Sequence, residues 1–121
     1  MTKRLILEVG LGNDLYGKDY TQAACRAVQD ALHHSSLVLF RSLNLNSKDM
    51  IVNVTIGVQE PEKLNKDEVA ATLPHGTVTV FSVLGGQNII DKPNGTEHVI
   101  AGAAIEAFFP IVQTEWKLTK S

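Results

Sequence analysis

Residues 10–17 read GLGNDLYG: three glycines, an aspartate and a tyrosine, set between an apolar run and an amphipathic one. Glycines there let a backbone approach a ligand, take a left-handed conformation, or let a helix pack closely on a strand. Asp14 in such a turn orients a polar substrate, binds a metal, or caps the turn through its own side chain. Tyr16 offers a hydroxyl over a pocket or an aromatic plug between subunits. A second glycine turn, GGQN at 85–88, adds Gln87 and Asn88, whose amides read a ligand or form the turn. The candidate set is Asp14 and Tyr16 for polar or acid–base work, with Gly10, Gly12, Asn13, Gly17, Gln87 and Asn88 around a ligand.

Other chemistries fail on spacing. A dinucleotide fingerprint needs its third glycine at position 15, where Leu15 stands, and no acid closes a second strand about twenty residues on. The Lys-Ser/Thr pair of a phosphate loop is missing. Asp14 lacks two further ligands at useful spacing, with His34 the only distant candidate, so neither metal nor cofactor is expected. No Ser-His-Asp or Cys-His arrangement is legible. His33 and His34 end a helix, where an imidazolium suits the carbonyl dipole.

The elements that must position these residues follow from periodicity. Residues 4–9 alternate as a first strand; Leu5, Leu7 and Val9 are expected to face the core, with Arg4, Ile6 and Glu8 opposite. Asp19 and Gln22 form a capping box. Behind it Tyr20, Ala23, Ala24, Ala27, Val28, Ala31 and Leu32 recur at helical spacing, to an end near 33–35. Residues 37–45 are a loop or a short edge strand, and MIVNVTIGV at 50–58 is a second strand. Asn65 and Glu68 repeat the capping signal for a helix over 66–73, stopped by Pro74 and Gly76. TVTVFSV at 77–83 is a third strand, and 85–97 a polar loop or loose hairpin. HVIAGAAIEAFF at 98–109 fits either period; the strand is preferred, because Gly102 costs about 1 kcal/mol inside a helix.

The expected fold class is α+β, in one domain over residues 1–121: a single mixed four-stranded sheet in the order βαβαββ, with both helices on one face. Ligands gather beyond the carboxyl ends of parallel strands. Here that rim carries residues 10–18, 59–64 and 85–97, all polar. The other sheet face has no covering element, so Ile6, Phe81, Val83, Ile100 and Phe108 are expected to lie open and to drive homo-oligomerisation.

Composition sets outer bounds. The 121 residues are 44% hydrophobic and 20% charged with a formal charge of −2, which is ordinary for a globular domain. Scattered Lys and Arg give no footprint for nucleic acid. The opening apolar run is too short for a signal peptide or a membrane span, and a single cysteine, Cys25, points to the cytoplasm.

GLGNDLYG before YTQAACRAVQDAL, with VNVTIGVQEPEKL, PHGTVTVFSVLGG and EHVIAGAAIEAF further on, resembles a small family without established activity, marked by an N-terminal GxGxDxHG motif. Gly10, Gly12, Asp14 and Gly17 match it, and Tyr16 stands where the family has histidine. More distantly the chain is similar to methylerythritol cyclodiphosphate synthase, in which the aspartate and histidine of a comparable stretch bind a divalent metal. That resemblance implies a Bacillus chorismate mutase-like fold, a trimer or a multiple of it, and sites at subunit boundaries. The expected function is binding of a small polar metabolite at the carboxyl ends of strands 1 and 3, near a subunit interface. The alternative is a non-catalytic assembly protein whose glycines serve packing.

Overall fold

Asp19 Oδ1 accepts the Gln22 N–H at 3.0 Å and starts helix α1 (Tyr20–Leu32), as the capping box predicts. Asn65 does the same for α2 (Lys66–Ala70), accepting the Glu68 N–H at 3.2 Å. The computed structural model describes residues 2–15, 18–33, 50–73 and 76–110. Around the helices lie β1 (Thr2–Asp14), β2 (Ile51–Val58), β3 (Thr77–Leu84), β4 (Gln87–Asp91) and β5 (Thr96–Pro110). A 3-10 turn spans Pro61–Lys63. The chain is thus α+β with a mixed sheet, but that sheet has five strands instead of four. The extra strand is β4, which pairs antiparallel with the start of β5. The turn between them places Gly95 at φ +65°, a conformation that glycine adopts without strain.

Strand order is β1-β5-β2-β3, with β4 beside β5 beyond the end of β2. β5 is central and antiparallel to β1, β2 and β4, while β2 and β3 run parallel. The carboxyl ends of β1, β2 and β3 therefore share one rim. Between β3 and β4 the chain crosses the end of β2 at Gly85 and Gly86. A Cβ on Gly86 would lie 2.1 Å from Ile100 O, and its φ is +63°. Gln59 Nε2 donates to Gly85 O at 3.0 Å and holds the crossing down.

The core forms between the helices and one sheet face. Val52, Val54, Ile56 and Val58 point inward, as their alternation predicts, beside Val99, Ala101, Ala103, Ile105 and Ala107. In β1 the expected sides are exchanged. Gly10, Gly12 and Asp14 face α1, while Leu7, Val9 and Leu11 lie on the open face at 49%, 63% and 67% exposure. The cause is the helix itself. Cβ atoms at Gly10 and Gly12 would come within 2.4 Å and 2.2 Å of backbone nitrogens of Ala31 and Ala27, so only glycine fits beneath this alanine stripe.

Phe81, Val83 and Ile51 join the leucines and Val9 on the open face, each more than two-fifths exposed. Ile100, Glu106 and Phe108 lie there too, half-buried, whereas the Ile6 side chain and residues 37–45 lie outside those described. No helix among the described residues is long and apolar enough to cross a membrane.

Removing the α1 cap tests the local reading. Asp19→Ala is expected to cost about 1 kcal/mol, seen as a lower urea midpoint at unchanged slope.

Candidate functional site

The rim beyond the strand ends closes on Tyr20, the first residue of α1. Its ring belongs to the apolar stripe and is 3% exposed, so its hydroxyl needs a polar partner. It has two. Tyr20 Oη donates to Glu60 Oε2 at 2.6 Å and accepts from Asn88 Nδ2 at 2.8 Å. Asn88 Nδ2 also donates to Glu97 Oε1 at 2.9 Å. Lys18 Nζ lies 3.4 Å from Glu97 Oε1 and 3.5 Å from Glu60 Oε2. The polar atoms of Lys18, Glu60, Tyr20, Asn88 and Glu97 thus form a closed ring linking every segment of the rim.

Each member arrives by a separate route. Lys18 leaves the turn after β1 at φ +50°, where a non-glycine residue is uncommon. Glu60 follows β2 and precedes the Pro61 turn, and Lys63 in that turn reaches Glu60 Oε1 at 3.0 Å. Asn88 and Glu97 stand on β4 and β5, on the helix side of the sheet, where the hairpin aligns them diagonally.

The electrostatics suit recognition. Tyr20's hydrogen bond, then Lys63 and Lys18, hold the Glu60 carboxyl down at about 2. Burial first, then the bond to Glu60, raises the Tyr20 phenol. The hydrogen bond and charge of Glu97 raise the Lys18 ammonium. Each of these pKa values is moved further from pH 7, and a general acid or base works best when its pKa lies near the operating pH. At neutral pH the ring presents fixed charges and committed protons.

The residues singled out in the sequence fall into three groups. Asn88 is in the ring, and its neighbour Gln87 is exposed on the opposite side of β4. Asp14 is buried at the end of β1. Its Oδ2 accepts the Asp19 N–H at 2.9 Å and its Oδ1 lies 3.6 Å from Arg26 Nη1, so it fastens the turn that carries Lys18 to the start of α1. Arg26 Nη1 also donates to the Asn13 carbonyl oxygen at 2.6 Å. Gly10 and Gly12, expected in a loop, lie inside β1, and what approaches them is the backbone of α1. Tyr16 and Gly17 lie outside the described residues.

Sequence reasoning located this rim but did not single out Lys18, Tyr20, Glu60 or Glu97. The available signal was Tyr20's hydroxyl on an otherwise apolar stripe, with Glu60 and Glu97 among the residues of the rim loops. Among the described residues no group of three or more His, Cys, Asp or Glu gathers to hold a metal. His98 Nε2 stands 4.0 Å from Asp91 Oδ2 on the other sheet face. Burial raises the Cys25 thiol, which makes it a weaker nucleophile.

Three comparisons bear on this architecture. No curated protein matches the chain. A crystal structure from Nostoc punctiforme PCC 73102, described as an FtsZ-like protein of unknown function, superposes with a TM-score of 0.79. It is 34% identical, and the match covers 91% of this chain and 98% of that one. A family model described as "Conserved hypothetical protein (Lin0512_fam)" matches residues 4–107, which include most of β1, all of α1 and every ring member. The chain belongs to the Lin0512 family of conserved hypothetical proteins.

Proposed function

We propose that the protein binds a small polar metabolite at the carboxyl rim of its sheet, around the ring of Lys18, Tyr20, Glu60, Asn88 and Glu97. One observation carries the reading: separate loops converge charged and amide groups on a single buried phenol at the edge where open sheets hold their ligands. A rim stapled only for stability would need no such mixture of charges. Asp14 acts here as a positioning residue through Asp19 and Arg26. The experiment is a melting-temperature screen against small polar metabolites. A ligand at one hundred times its Kd adds about 2.7 kcal/mol of stability, and Asn88→Ala is expected to abolish that response while still folding. Failure of every compound, or an undiminished response in Asn88→Ala, overturns the reading.

The open apolar face favours a second role, compatible with the first. In this reading Leu7, Val9, Leu11, Phe81 and Val83 are covered by further copies of the chain in a homo-oligomer, a trimer or a multiple of it. Mass is measured in parallel with the screen. Val9→Lys is expected to lower the mass of the assembly without affecting the ring, whereas a wild-type species of 13.2 kDa in dilute solution removes the oligomer.

A further inference from the structure

The ring has spent its neutral donors and kept a spare acceptor. Tyr20 gives its only proton to Glu60, and Asn88 gives its amide protons to Tyr20 and Glu97. Those bonds fix the orientation of the amide. They leave Asn88 Oδ1 buried with no hydrogen-bond partner. An acceptor left in this state is costly, and what satisfies it must bring a donor. Glu97 takes both of its contacts on Oε1. A newcomer to this rim therefore meets oxygens.

Lys18 is the loosest member of the ring. Its contacts, 3.4 and 3.5 Å, are the longest of the set, its side chain is 43% exposed, and its backbone sits at φ +50°. Exposed ion pairs of this kind hold weakly. Its ammonium nevertheless occupies the point between two carboxylates at which a ligand cation would be best placed.

Resting on the rim being a binding site, we propose that its ligand is a small organic cation, a protonated primary amine. Its ammonium group displaces Lys18 Nζ from between Glu60 and Glu97 and sits closer to Asn88, where it also donates to the Oδ1 that Lys18 Nζ does not reach. A bare metal ion fits this place poorly, because Tyr20 and Asn88 direct protons at the same carboxylate oxygens. An anion would face both glutamates.

The test uses the full chain with n-butylammonium chloride as probe. Sodium butyrate and sodium chloride serve as controls at equal ionic strength, and binding is read by calorimetry and Tm. Lys18→Gly removes the competing arm and sets glycine at a φ that suits it; Lys18→Met replaces it where that variant fails to fold. Butylammonium is expected to bind the wild type and to bind the Lys18 variant about tenfold more tightly, because the competent fraction rises when the arm is gone. Glu97→Gln is expected to lose the binding, and butyrate to have no effect in any of the proteins.

Equal affinity with and without the Lys18 side chain overturns the inference. So does binding confined to the variant with no wild-type response, which marks a purely structural ion pair. Stabilisation by butyrate alone, or by a metabolite lacking a cationic N–H, overturns the amine class and leaves the rim as a binding site. Silence from every probe and metabolite removes both.

Discussion

Gly12→Ala is expected to destabilise the protein by about 3 kcal/mol or more, at the upper end of what overpacking costs. The added Cβ would stand 2.2 Å from Ala27 N and 2.4 Å from Ala23 O, both in the backbone of α1. Backbone in mid-helix has no rotamer through which to give way, so α1 must lift from β1 as a body. Lifting it opens the alanine contacts along the whole helix and drags on the turn that Asp14 fastens. Gly102→Ala, on the open face of β5, makes the contrasting case. Its Cβ would meet only Leu11 Cδ2, at an ordinary 3.8 Å. That substitution is expected to be neutral or to stabilise by up to about 1 kcal/mol, since alanine narrows the unfolded ensemble. Urea denaturation of the two variants side by side checks both. A Gly12→Ala protein as stable as the wild type would show that the glycine serves something other than helix packing.

Tyr20→Phe is the second substitution with a large expected effect. It keeps the packed ring and deletes the one hydroxyl that joins Glu60 to Asn88. An Asn88 N–H loses its acceptor in a half-buried setting, and a loss of about 1–3 kcal/mol at neutral pH is expected. The pH dependence should change with it. Glu60 is held at about 2 in the folded chain against an ordinary 4.5, with the Tyr20 bond as the largest cause. A carboxyl depressed on folding contributes stability that is fully present above its unfolded pKa and is lost as pH falls through the folded one. The wild type should therefore lose that contribution between about pH 4.5 and 2. In Tyr20→Phe the acid limb should flatten, because Lys63 and Lys18 alone hold Glu60 less far down. At the alkaline end the raised Tyr20 and Lys18 act in the opposite sense, and their contribution fades above about pH 10. Urea midpoints across pH for both proteins, with the Glu60 carboxyl titration followed by NMR, test the account. An unchanged acid limb would mean that Tyr20 does not control Glu60.

Local patterns alone determined much of this protein. Asp19 and Asn65 cap their helices where capping boxes place them, because a cap is made within four residues of chain. The alternation of 50–58 and 98–109 settled as strands, and the order of elements sent the turns after β1, β2 and β3 to one rim. The tertiary structure decided the rest. Alternation in β1 says that successive side chains oppose each other, and it is silent on which side is inside. Hydrophobicity favoured Leu7 and Val9; the close approach of α1 excluded every side chain larger than glycine and turned them outward. The fifth strand escaped notice because QNIID lacks clean alternation and is a strand only through its pairing with β5. The ring escaped notice because Lys18, Tyr20, Glu60, Asn88 and Glu97 span eighty positions of sequence. Only the fold brings their polar atoms within hydrogen-bonding and ion-pair distance.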